Sequence, residues 1–78
     1  MKNKIFKLCL YDDDSVTFEN VITGLTTVLG WSVYQSEQIA LIVHYNGKAL
    51  VKKDTLEELQ PIEKELMSYG LTVKIIEK

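Results

Sequence analysis

One cysteine, one histidine, one proline and no long apolar run are what this 78-residue chain offers, and each scarcity removes a class of protein. With Cys9 alone, no disulfide forms within the chain and no zinc cluster can be assembled from thiolates, which suits a reducing cytoplasm. The longest uninterrupted apolar run, Ile39 to Val43, is far below the roughly 20 residues of a membrane span, and Met1-Lys2-Asn3 leads into no signal-peptide core. Nine basic and eleven acidic residues give a net charge of -2 with no basic stripe along the chain, which points away from nucleic acid. Nucleophile elbow, glycine-rich phosphate loop and paired histidines are all missing, so the sequence points away from an enzyme.

What is present is the composition of an ordinary globular domain, 46% hydrophobic and 26% charged. Seventy-eight residues make one domain, and a domain of this size buries only about 60% of its unfolded surface, so its core must be economical. There are no repeats, linkers or low-complexity segments. The first strand is expected to begin almost at residue 1, with essentially no N-terminal tail before it.

The alternation in Lys4 to Tyr11 sets Phe6, Leu8 and Leu10 on one face of a strand and Ile5, Lys7, Cys9 and Tyr11 on the other. From Thr17 to Leu29 the apolar residues Phe18, Val21, Ile22, Leu25, Val28 and Leu29 recur at spacings of three and four, one stripe on a helix that Gly30 ends. Ser32 with Gln35 opens a second helix running through Ile39, Ala40 and Val43 toward His44, and Asn46-Gly47 forces a turn. A short strand, Lys48 to Lys53, leads through the capping pattern Asp54-Thr55-Leu56-Glu57 into a third helix that buries Leu59, Ile62, Leu66 and Tyr69. Pro61 lies well inside that helix and is expected to kink it or to split off its first turn. After Gly70 a last strand runs from Leu71 to Ile76.

The pattern β-α-α-β-α-β predicts an α+β fold: a small three-stranded sheet with three helices packed on one face. Ile5, Cys9, Tyr11 and Ile76 then fall on the outer sheet face, an apolar surface suited to weak self-association or to a partner.

The run Tyr11-Asp12-Asp13-Asp14 closes the first strand just before a helix, and the one histidine closes the second helix. Three consecutive like charges repel, so they are either solvated or used to hold a cation. Consecutive aspartates point in diverging directions and lack the alternate spacing of a calcium loop, which excludes a metal site. As a cap, the aspartates would favour the positive end of the first helix and His44 would bond the last carbonyls of the second. Residue chemistry alone leaves the cap and the cation-holding site side by side.

One continuous pattern separates them. Lys7-Leu8-Cys9-Leu10-Tyr11-Asp12-Asp13-Asp14, Thr17-Phe18-Glu19 and Ala40-Leu41-Ile42-Val43-His44-Tyr45-Asn46-Gly47-Lys48-Ala49 closely resemble the ClpS family of protease adaptors, without gaps from Phe6 through Ala49. Thr55 to Ile76 resembles the family in a version with a shortened last helix. The resemblance implies a binding module without cofactor, which captures proteins by a bulky apolar N-terminal residue and hands these N-degron proteins to a ClpA- or ClpC-type AAA+ unfoldase. By the same resemblance Asp12, Asp13 and His44 hold the free α-amino group, and Val16, Phe18, Val21, Ala40 and Val43 form the side-chain pocket. Glu57 matches the glutamate that contacts the unfoldase. The alternative of a different class is an interaction domain of the same fold without N-terminal recognition, like the C-terminal domain of the ribosomal stalk protein.

Against the family pattern, Asp12 replaces an asparagine, so an amide becomes a pure, charged acceptor. Ala40 and Phe18 replace methionines with opposite changes in volume, and the expectation is broadened specificity that admits β-branched side chains. The basic residue expected one turn after Glu57 is replaced near Pro61 and Ile62, and with a strand expected almost at residue 1 the sequence as given predicts a domain without the N-terminal extension that delivers substrate in many relatives.

Overall fold

The computed structural model describes residues 4–77, so the expectations for Met1-Lys2-Asn3 lie outside the described residues. The element order is β1 (Phe6–Tyr11), α1 (Phe18–Leu29), α2 (Val33–Asn46), β2 (Lys48–Asp54), α3 (Leu56–Ser68) and β3 (Thr72–Glu77), the α+β order expected. β1 is central in the antiparallel sheet β2-β1-β3. A register shift between Leu8 and Cys9 marks a bulge against β2.

All three helices open on a hydroxyl cap in extended backbone. Thr17 Oγ1 accepts from Asn20 N, Ser32 Oγ from Gln35 N and Thr55 Oγ1 from Glu58 N, each meeting one of the orphan donors of a first turn. Two expectations shift accordingly. The cap of α3 is Thr55 rather than Asp54, whose carboxylate instead accepts from Thr55 N at 2.8 Å. The cap of α1 is Thr17 rather than the aspartates, which lie upstream and are used otherwise.

Leu8 and Leu10 of β1 pack with Leu25 of α1, Val43 of α2, Leu59 and Leu66 of α3, and Val73 of β3 in one core. Ile62 and Tyr69 are only partly buried against it. Each fully buried leucine contributes about 1.5–3 kcal/mol relative to exposure, so this one cluster supplies most of the driving force available to so small a domain.

Pro61 does not split α3, which runs unbroken from Leu56 to Ser68. The carbonyl that loses its donor, that of Glu57, lies in the exposed first turn where water can reach it. That turn is also anchored by the buried Leu59 and by Glu58 N and Leu59 N on the Thr55 carbonyl. Cys9 departs from expectation too. It occupies an outer-face position yet is 8% exposed, because the central strand is shielded laterally by its neighbours Leu50 and Lys74. Ile5, Leu50 and Ile76 remain exposed. No helix of the described residues is long and apolar enough to cross a membrane.

Candidate functional site

The aspartate run and His44, thirty residues apart in sequence, are joined by backbone chemistry. Asp12 N donates to Gly47 O at 2.9 Å, continuing the pairing of Tyr11 with Lys48 by one residue. Gly47 itself caps α2, with its N–H on Val43 O at 2.8 Å and φ of 91°, a left-handed conformation that a residue with a Cβ rarely adopts. The last turn of α2, which carries His44, is thereby fixed against the end of β1. Because Gly47 N–H closes this helix, His44 is not needed as its cap and stays exposed, edge-on to the Tyr45 ring with centroids 5.1 Å apart.

Asp13 organises the turn into α1. Its Oδ1 accepts from Ser15 N at 2.9 Å and from Ser15 Oγ at 2.7 Å, and its carbonyl accepts from Val16 N at 3.1 Å. Its Oδ2 accepts from Thr72 Oγ1 at 2.8 Å, a bond that reaches across the sheet to the start of β3. Hydrogen bonds from the Ser15 amide, the Ser15 hydroxyl and the Thr72 hydroxyl, in that order, hold the Asp13 carboxyl below the usual carboxylate range. With Oδ1 doubly bonded, Asp13 keeps only one acceptor site, on Oδ2, for anything else. Asp12 and Asp14 are exposed.

These residues surround a cavity of about 280 Å³. Asp12, Asp13 and His44 line it together with Val16, Phe18, Val21, Ala40 and Val43, so all eight residues named from sequence for the amine and the side-chain pocket meet at one site. Ala40 and Val43, each 4% exposed, belong to its floor, whereas Phe18, 44% exposed, stands at its rim. Glu57 lies elsewhere, exposed in the first turn of α3. The lining also includes Leu10, Tyr11, Asp14, Leu71 and Thr72, to which no role was assigned from sequence, although Tyr11 and Asp14 belong to the acidic run. For Leu10, Tyr11 and Asp14 the signal was adjacency to the named aspartates. Leu71 and Thr72 come from the far end of the chain, and only the pairing of Tyr11 with Thr72 brings them in. One wall is thus acidic and polar, the floor apolar, and among the described residues no group of three or more His, Cys, Asp or Glu is arranged for a metal ion.

The family model for ATP-dependent Clp protease adaptor protein ClpS matches residues 1–74. The chain belongs to the ClpS family. It is therefore a member of a family of adaptors, not of catalysts. Among curated proteins none matches this ClpS family member in sequence. Among solved structures it is similar to Agrobacterium tumefaciens ClpS2 bound to L-phenylalaninamide, with a TM-score of 0.94 and 22% identity over 99% of this chain and 100% of that one. The ClpS fold is thus kept across a wide divergence in sequence.

Proposed function

We propose that the cavity receives the first residue of a protein chain, holding its α-ammonium at the acidic wall and its apolar side chain on the floor. The observation that carries this reading is the convergence of the eight named residues on one cavity of about 280 Å³. That volume lies just under the roughly 300–1,000 Å³ of small-molecule sites, which suits one side chain with its amine rather than a longer peptide. Family membership supports the reading, as does the ligand of the Agrobacterium protein, an aromatic side chain beside a free amine.

An α-ammonium is a compact cation with three donors. Asp12, exposed and next to the anchored Asp13, offers it a full charge, the free Oδ2 site of Asp13 a second acceptor, and a neutral His44 imidazole a third. Charge-assisted hydrogen bonds contribute about 1.5–3 kcal/mol each and burial of a Leu or Phe side chain about 1.5–3 kcal/mol. After association costs, micromolar affinity follows. With the small Ala40 on the floor and the exposed Phe18 at the rim, an N-terminal Ile is expected to bind within about tenfold of Leu.

In this reading the captured protein passes to a ClpA- or ClpC-type unfoldase for degradation in the cytoplasm, with Glu57 on α3 as a contact. Fluorescence anisotropy with Leu- and Phe-starting peptides, free and N-acetylated, tests the central step. Free peptides should bind and acetylated ones should lose at least about tenfold, since acetylation removes the ammonium. Equal binding of the two forms sinks the proposal.

A further inference from the structure

Among the described residues, the three strands present four lysines and no acidic side chain of their own on the solvent face of the sheet. On β1, Lys7, Cys9 and Tyr11 alternate with the core residues Leu8 and Leu10 and so point away from the helices. Cross-strand partners share a face, which places Lys53 and Ile76 beside Lys7 and Leu50 and Lys74 beside Cys9. Lys48 and Thr72 complete it beside Tyr11. The two acidic residues of the strands, Asp54 and Glu77, both pair with Phe6 on the helix side, and each has its own lysine. Lys52 Nζ lies 3.7 Å from Asp54 and Lys4 Nζ 2.7 Å from Glu77. A chain of net charge -2 thus collects positive charge on one face, and among the described residues these four lysines have no ion-pair partner. Leu50 and Ile76, 42% and 38% exposed, stand between these lysines.

We propose that this face docks an acidic polypeptide segment of a partner protein, one that carries aliphatic side chains between its carboxylates. The lysines supply attraction and register, and Leu50 and Ile76 supply apolar area, which charge alone would leave wet. Nucleic acid fits less well. The one aromatic ring of the face, Tyr11, is half-buried with Lys74 Nζ 5.7 Å from its centroid, so it offers no open platform for a base. A second copy fits less well also, because two such faces brought together would set lysines against lysines.

The test uses the full chain and a short N-acetylated peptide alternating glutamate and leucine, labelled at its C-terminus, so that the cavity at the end of β1 cannot capture it by an amine. Binding followed by anisotropy should weaken as salt rises, and should fall about tenfold or more in Lys53→Glu/Lys74→Glu. Leu50→Gln should weaken it by a smaller factor, and circular dichroism with a thermal melt should show both variants folded. The proposal is overturned if the double variant binds the peptide as the parent does, or if a peptide of glutamate and serine binds equally well. Tighter binding of a single-stranded oligonucleotide, or a concentration-dependent dimer that Lys53→Glu/Lys74→Glu disrupts, would overturn it as well.

Discussion

The cavity and the outer sheet face share Tyr11 and Thr72, yet they are opposite in almost every respect. One is concave, acidic at its wall and fastened by hydrogen bonds; the other is open, basic and held only by the strands beneath it. The difference lies in how each is assembled. The cavity grows from two local turns, one ordered by Asp13 and one by Gly47, whereas the outer face exists only because three strands settle into one register. Local chemistry makes a site that a short stretch of chain can announce, and register makes one that no stretch can.

The largest difference is expected between neighbouring residues on β1. Leu8, fully buried, should cost about 2–5 kcal/mol of stability as Leu8→Ala, while Lys7→Ala, on the outer face, should stay within about 0.5 kcal/mol. Urea unfolding of both variants checks this, and comparable losses would mean that the strand does not divide core from solvent as described.

On the cavity side, His44→Ala should weaken a Leu-starting peptide by about ten- to a hundredfold, the worth of one hydrogen bond to a charged group, and leave the acidic peptide of the outer face unaffected. A loss of less than about threefold would show that His44 acts by shape rather than as an acceptor.

This contrast also governs what the sequence could tell. Apolar spacing was enough to place α1, α2 and α3, with Ser32 alone read correctly as a hydroxyl cap, and the resemblance carried by the aspartates, the histidine and the helix stripes was enough to name eight of the cavity residues. Thr72 escaped because its one partner, Asp13, is fifty-nine residues away and nothing local marks a strand-opening threonine. Cys9 was misjudged for the related reason that alternation gives the face of a residue but not the lateral cover of a central strand. The unsplit α3 reflects an exposed carbonyl and a buried Leu59, neither of which Pro61 alone could reveal. The lysines of the outer face are scattered over three strands, so a search for a basic stripe along the chain had nothing to find.

Thr72→Val isolates the long-range part of the cavity. It removes the donor to Asp13 Oδ2 at roughly constant shape, and should weaken a Leu-starting peptide by about threefold as the carboxylate loses its fixed orientation. A second readout follows from linkage. The folded-state value of Asp13 lies below its ordinary range, so its contribution to stability is present above that range and is lost as pH falls through the lowered value. Removing one of the bonds raises that value, so acid unfolding of Thr72→Val should begin at a less acidic pH than in the parent.

The smallest effect is expected at Asp12, and it bears on whether the acidic wall works by charge or by position. Asp12 is exposed, and its backbone N–H, rather than its side chain, ties β1 to Gly47. Asp12→Asn therefore keeps the fold and an acceptor oxygen but removes a full negative charge near the ammonium. Exposed ion pairs are weak and screened by salt, so the loss should be about twofold at low ionic strength and should shrink as salt is added. A loss that persists at high salt would mean that Asp12 makes a desolvated contact, placing it inside the cavity's chemistry beside Asp13. No loss at all would show that charge at this position contributes nothing, since the variant keeps an acceptor oxygen there.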